Sequence, residues 1–502
     1  FLGVVFAALS VWMLYALAKR VTRSTLFSAY AAGLLALDGM HFVQARIATP
    51  ETYVVFFSIA TVYTFYRFWI ASQVRFERYN PQRRTLVRTI GGIASALLGL
   101  AVTAVRFPHE NRGALAILVV YFAAGFYLLY RLIVEPMLSR DGAAFASYPD
   151  GTSVIANGTD LATLTSDGVL LAATSKPHTF ELDELRATYR GDGSVQYDTL
   201  AGGARYDRAM KPENALLWLF LFSLSIGLLV ASKWYGVMAY GVAVLVVLGV
   251  WSQRFWHSRR GSKRPAVWGN PLGFRLDVVL STVVFVTMSV YFAAYIPSFM
   301  GLSDQPNQAP RPYTVSDVVT MQYNAYEYHE HLTQGHPYAS KWWQWPLDMK
   351  PPLYYAKYGG SGKTSTAGMI YSLPNPFIVW MGLLSVPWVG VLAFRERNKG
   401  YALLVLTYLA QWLPWMASPR IAFLYHFYVN IPIICLCNAV LAQRLWQWAS
   451  AKGDGARRMA TFAVASYFVA VAIAFVYFYP ILAGVTLPTD AWLNRIWFHA
   501  WL

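Results

Sequence analysis

The chain has 502 residues, 56% of them hydrophobic and only 13% charged, against about 25% charged in ordinary soluble domains. Apolar runs of about 20 residues recur along its length, which excludes a single water-soluble core and marks a polytopic membrane protein. The net charge of +16 does not call for nucleic acid, because Lys and Arg crowd into short loops between the apolar runs, as membrane topology demands.

About twelve spans follow from the runs of suitable length: 1–18, 26–42, 51–70, 90–105, 114–134, 216–232, 235–251, 276–296, 377–394, 401–416, 421–441 and 460–481. Phe1 falls inside an apolar run with no Met before it, so the chain is expected to be a piece of a longer protein. Cys435 and Cys437 sit two apart in one run, which points them to different helix faces, and no disulfide is expected. The expected fold is an all-α polytopic membrane protein with a small β-rich insert. Residues 1–137 carry five spans, 138–211 the insert, 212–296 three spans, 297–375 a large loop, and 376–502 four spans and a tail.

Orientation follows from the basic residues. Lys19, Arg20 and Arg23, the Arg residues from Arg75 to Arg88, the cluster from Arg254 to Arg264, Arg395 to Lys399, and Arg457 with Arg458 all fall on one side of the alternating count. That side is expected to be cytoplasmic. It puts Arg46, Lys233, Arg420, the 297–375 loop and the C-terminus outside. The insert 138–211 falls on the cytoplasmic side. It is polar and carries Asn157-Gly158, Asp167-Gly168 and Asp192-Gly193. The run ATLTSDGVLLAAT predicts a hairpin around Asp167-Gly168, with disorder as the alternative. Asn157-Gly158-Thr159 has the glycosylation pattern, but on the wrong side for use.

The stretch Tyr328–Tyr355, YHEHLTQGHPYASKWWQWPLDMKPPLYY, lies in the outer loop and cannot lie inside lipid. Its three His, with Glu327 and Glu330, could take a divalent cation. The spacing of His329, His331 and His336 is not that of a helical ligand pair, so chance enrichment in a polar loop is the plainer reading. Trp342, Trp343 and Trp345 suit a membrane interface and equally a platform for sugar or peptide. The run GGSGKTS imitates a phosphate loop, but Lys357 stands where the first Gly belongs and no preceding strand is expected, so no nucleotide site is expected. Asp38, Arg46, Glu51, Lys233 and Arg420 gather at the outer edge. Charges near membrane depth are costly unless paired or used. Arg and Lys there suit a lipid phosphate; the alternative is that each cation snorkels to the interface.

The blocks LLALDGMHFVQARIATPE, VASKWYG, HLTQGHPYASKWWQWPLDMKPPLYY, LPNPFIVW, SPRIAFLYHFYVNIP and LNRIWFHAWL resemble, in the same order, the bacterial protein O-mannosyltransferases. These are polytopic GT-C glycosyltransferases that use a polyprenyl-phosphate sugar donor. The hairpin 90–134 and the insert 138–211 lie outside the family pattern. The resemblance implies an inverting transfer of mannose from the lipid carrier to Ser or Thr of an acceptor protein, at the outer face of the plasma membrane. It places the catalytic Asp and an Arg ahead of Phe1, and Glu51 as a supporting group where Asp is usual. It implies donor-phosphate contacts from Arg46, Lys233, Lys350 and Arg420, with Lys350 where Arg is common. Substrate contacts fall to His336, Lys341, Trp342, Trp343, Trp345, Tyr425 and His426. No residue is assigned to a metal, and a divalent cation stays possible as a cofactor. In such a transfer fixed cations stabilise the leaving phosphate, and the attacking hydroxyl needs a carboxylate base. Another sugar, or a lipid or glycan acceptor, is the nearest alternative. A transporter is the more distant one, since the charges lie at one edge and no repeated halves are visible.

Overall fold

Inside a bilayer every backbone N–H and C=O must be satisfied within its own segment, so apolar runs become helices. The computed structural model describes residues 1–47, 49–71, 75–78, 81–134, 144–147, 153–156, 159–163, 171–172, 178–182, 185–189, 195–199, 215–259, 276–302, 311–332, 335–396 and 398–501. Among these, eight helices are long and apolar enough to cross a membrane, or nine if the bent pair Thr25–Ala36 and Gly39–Arg46 is one broken span. Two further expected spans are the shorter apolar helices Trp234–Gly249 and Asp277–Ala293. The run at 401–416 is centred on the 14-residue helix Lys399–Trp412. All twelve expected runs are thus helical, but not all reach spanning length.

The chain divides into two compact units. The first comprises Phe1–Tyr63, Ser232–Val242 and Tyr326–Leu502. Its second span breaks by 59° at Leu37 and Asp38. Asp38 caps the helix Gly39–Arg46 by accepting from the His41 N–H at 2.8 Å. A Cβ on Gly39 would come within 2.4 Å of the Leu373 carbonyl oxygen, so only Gly lets the loop's end approach this turn.

The first unit also holds a sheet that the sequence did not suggest. Its strands run in the order Leu487–Pro488, Thr366–Tyr371, Leu353–Gly359, all antiparallel. Met369 and Tyr371 pack with Val43, Phe478, Leu482 and Trp501, so the sheet shares a core with helix ends. GGSGKTS is the turn of this hairpin, with Gly360 and Gly362 at φ 69° and 56°. A strand therefore does precede it, contrary to the sequence reading. A second strand follows where a phosphate loop needs a helix.

The second unit comprises Thr64–Ala231 and Ala243–Ala325. Pro81–Arg106 and Arg112–Leu129 form a helical hairpin, continued by a π turn at Tyr130–Val134. Tyr121 stacks on Phe285 at 5.0 Å. Buried Arg131 donates through Nε to Asp277 at 2.8 Å, and the Tyr127 hydroxyl donates to the same oxygen at 2.6 Å. At the hairpin tip, Glu110 accepts from the N–H groups of Val315 and Ser316 at 3.0 and 2.6 Å. It thereby caps the helix Val315–Glu330 of the 297–375 loop.

The insert is β-rich, as expected, but its pairings differ. Ser153–Ala156 pairs with Thr159–Thr163 around Asn157-Gly158, and Leu185–Tyr189 pairs with Val195–Thr199 around Asp192-Gly193. Among the described residues Leu171–Ala172 pairs with Ala144–Ser147, and most of the hairpin expected around Asp167-Gly168 lies outside them. The turns at Asn157-Gly158, Asp167-Gly168 and Asp192-Gly193 lie outside the described residues.

Candidate active site

Glu51 is the first residue of the helix Glu51–Ala71, where the free N–H groups favour a negative charge. It is 4% exposed. Lys233 stands just past the helix Ala215–Ser232, in extended conformation at φ −167°. That conformation turns the chain and brings the Lys233 ammonium onto Glu51 Oε1 in an ion pair. Glu51 Oε2 is buried with no hydrogen-bond partner among the described residues. The ammonium also lies 5.3 Å from the Tyr235 ring centroid and 5.4 Å from that of Tyr425, a cation–π setting. One turn back, Gln44 ties this corner to the loop sheet. Its carbonyl accepts from Thr52 Oγ1 at 3.0 Å, and its Nε2 donates to the Tyr354 hydroxyl at 3.0 Å.

A cavity of about 680 Å³ opens in the same unit, lined by the cations Lys341, Lys350 and Arg420 and the indoles of Trp342, Trp343 and Trp415. The short helix Trp342–Leu347 builds one wall, capped where Lys341 N–H donates to Gln344 Oε1 at 2.7 Å. Lys350 takes a left-handed φ of 57°. Its N–H donates to Ala500 O at 3.1 Å, and Trp501 Nε1 donates to Asp348 O at 2.7 Å, so the C-terminal turn clamps this wall. Arg420 Nη1 lies 3.1 Å from His329 Nδ1. The guanidinium has no acceptor atom, so His329 Nδ1 must accept. Partial burial, then the Arg420 and Lys233 charges, hold the His329 pKa below its ordinary value.

The wall behind the cavity is aromatic. Trp345 is fully buried and donates to Ser340 Oγ at 3.0 Å. His426, also buried, lies 4.3 Å from both Trp415 and Tyr425 and 6.1 Å from Trp345. Trp345 and His426 thus shape the wall and do not face open space. Tyr425, 5.4 Å from the Lys233 ammonium, is 4.3 Å from His426, which is 4.3 Å from the cavity-lining Trp415, so a run of rings joins the ion pair to the cavity wall. His336 is not among the cavity-lining residues; its ring lies 5.2 Å from that of Phe423.

Arg46 is set apart. It is exposed, with its guanidinium 4.9 Å from the Phe42 ring, and no carboxylate pairs with it among the described residues. The sequence alone passed over Tyr235, Tyr354 and Trp415 as site residues, and took His329 only as a metal candidate. Tyr235, Tyr354 and His329 lie inside quoted stretches, and that proximity was the available signal; Trp415 lies outside them, five positions before Arg420. Among the described residues no three His, Cys, Asp or Glu converge as a metal site. Asp348 is 1% exposed, has φ 58°, and neither carboxylate oxygen finds a partner among the described residues. Burial, then nearby Asp38, pushes its pKa well above the usual carboxylate range.

Residues 1–135 match the family model described as dolichyl-phosphate-mannose-protein mannosyltransferase. Residues 314–501 match that of the C-terminal four-transmembrane region of protein-O-mannosyltransferase. The first match runs through the hairpin 90–134, which the sequence reading sets outside the family pattern. Similar curated proteins carry the name polyprenol-phosphate-mannose–protein mannosyltransferase. Those of Mycobacterium tuberculosis, Mycolicibacterium smegmatis and Corynebacterium glutamicum are 26%, 27% and 24% identical over 302, 311 and 310 residues. Each alignment takes in 57% of this chain, and the chain spans 57–58% of the length of these relatives. A solved protein O-mannosyltransferase complex of S. cerevisiae, bound to the sugar donor, aligns over 100% of this chain and 80% of its own, with 10% identity and a TM-score of 0.45. The helices make the chain a multi-pass membrane protein, and the two family matches, which together take in more than half of it, make it a member of the protein O-mannosyltransferase family.

Proposed function

We propose that this chain carries the donor pocket and acceptor corner of a polyprenyl-phosphate-mannose–protein mannosyltransferase, working at the outer face of the plasma membrane. The carrying observation is the cavity with three cations and three indoles beside the Glu51–Lys233 pair. Arg420, Lys350 and Lys341 suit a phosphodiester, and the negative charge that grows on the departing polyprenyl phosphate is what such fixed cations stabilise. The indoles offer apolar faces to the sugar. The anomeric C–O bond to phosphate breaks as the Ser or Thr oxygen bonds to that carbon from the opposite side. The hydroxyl proton passes to a carboxylate base. Glu51, paired with Lys233, orients the acceptor hydroxyl. The distribution of Arg and Lys supports placing this corner outside and the insert 138–211 inside. The insert therefore lies across the membrane from the chemistry.

The test is transfer of radiolabel from polyprenyl-phosphate mannose by the full-length protein, with and without a Ser/Thr-rich peptide. Label on the peptide hydroxyl is expected. Donor consumption with label on lipid or glycan, and none on peptide, would overturn the acceptor assignment.

A further inference from the structure

The strand Leu353–Gly359 forms the edge of the loop sheet, and among the described residues no strand pairs with its other side. Every residue from Tyr354 to Gly359 is exposed. Unpaired edges present alternate N–H and C=O groups and recruit further extended chain, so proteins usually blunt them with Pro, charges or bulges. Here the stretch from Tyr354 to Gly359 contains no Pro, a single charge at Lys357, and an irregular register only at its Leu353 end.

The edge begins at the candidate site. Tyr354 accepts from Gln44 Nε2, Gln44 O accepts from Thr52, and Thr52 adjoins Glu51. Tyr355 and Tyr358, 45% and 73% exposed, continue the strand away from that corner. We infer that an extended segment of the acceptor protein adds to this edge as a fourth strand, with its Ser or Thr delivered to the Glu51–Lys233 corner at the Tyr354 end. Main-chain pairing reads no particular side chain, so it suits an acceptor that must supply only extended backbone and a hydroxyl. The tyrosine rings provide shallow apolar walls for its alternate side chains. This inference rests on the proposed protein acceptor.

The experiment uses the full-length protein in membranes, radiolabelled polyprenyl-phosphate mannose, and a short synthetic peptide with one central Thr flanked by Ala. A series of these peptides carries one backbone N-methyl group at successive positions. An added strand uses only alternate N–H groups. The peptide KM should therefore rise about tenfold at every second position and stay near the parent value between them. A flat profile in a peptide that accepts label overturns the edge pairing. A Tyr358→Cys variant supplies a second readout that needs no turnover. Peptides with a single Cys should form a disulfide with it at every second position only, and indifferent cross-linking overturns the inference. If alternation appears in cross-linking while no peptide accepts label, the edge stands and the mannosyl transfer fails.

Discussion

Asn375 closes the break that Asp38 opens. Its backbone N–H donates to Asp38 Oδ2 at 2.8 Å, and its side-chain amide donates to the carbonyls of Leu37 and Val471 at 3.1 and 2.9 Å. A helix interrupted at membrane depth exposes carbonyls that lipid cannot solvate. One residue at the end of the 297–375 loop therefore satisfies both the cap and the carbonyls around it.

Asn375→Ala should lower thermal stability in detergent, by roughly 1–3 kcal/mol for each carbonyl left buried without a donor. Asn375→Asp should cost at least as much, because it keeps the shape but places an acid beside Asp38. Unchanged melting in both variants would show that water or lipid headgroups replace the amide.

Lys233→Ala leaves Glu51 buried and uncompensated, so stability should fall by about 3–5 kcal/mol. Combining it with Glu51→Gln should restore much of that loss, while turnover per folded molecule stays down about 10²–10³-fold. Folded protein measured beside turnover separates the two effects. Activity that recovers along with stability would reduce the pair to a structural clamp.

Arg420→Ala and Lys350→Ala should each raise the donor KM roughly tenfold or more, as loss of one charge-assisted contact to phosphate predicts. Lys350→Arg should bind donor at least as well as the parent, because the planar fork meets two phosphate oxygens. Arg46→Ala, by contrast, should change the donor KM little, since Arg46 stands apart on Phe42. Donor saturation curves with a fixed peptide acceptor check all four variants.

Asp348→Asn should raise stability near neutral pH, by roughly 1–3 kcal/mol. Asn keeps the left-handed backbone at little cost and is neutral without the proton that buried Asp348 must take up. Because burial raises the folded pKa of Asp348 above its unfolded value, the folded state holds the proton more tightly. The parent's stability should then fall as pH rises from the usual carboxylate range toward neutrality, and the advantage of Asn should vanish on acidification. A variant that is stable but loses turnover would make Asp348 part of the chemistry.

The helices were legible because a bilayer leaves an apolar run few other conformations. Arg420 was flagged because a cation at a membrane edge needs a reason, and Lys350 through the resemblance; both line the cavity. Arg46 met the same criterion and is not brought in, since an exposed cation can rest on a neighbouring ring. The Glu51–Lys233 pair spans 182 positions, and only the tertiary fold could join it. The loop sheet was hidden for another reason. Thr366–Tyr371 is buried on both faces and Leu353–Gly359 on neither, so neither strand shows the alternation by which strands are read.

Cys435 and Cys437 are both wholly buried in the helix Ile431–Ser450. Their consequence is practical. A thiol placed on the surface competes with no accessible native thiol among the described residues, so sidedness can be mapped by maleimide labelling on the unaltered background. Cysteines introduced at Glu110 and Ser316 would likewise staple the hairpin tip to the helix Val315–Glu330 on oxidation, with no accessible native thiol among the described residues to scramble the bond.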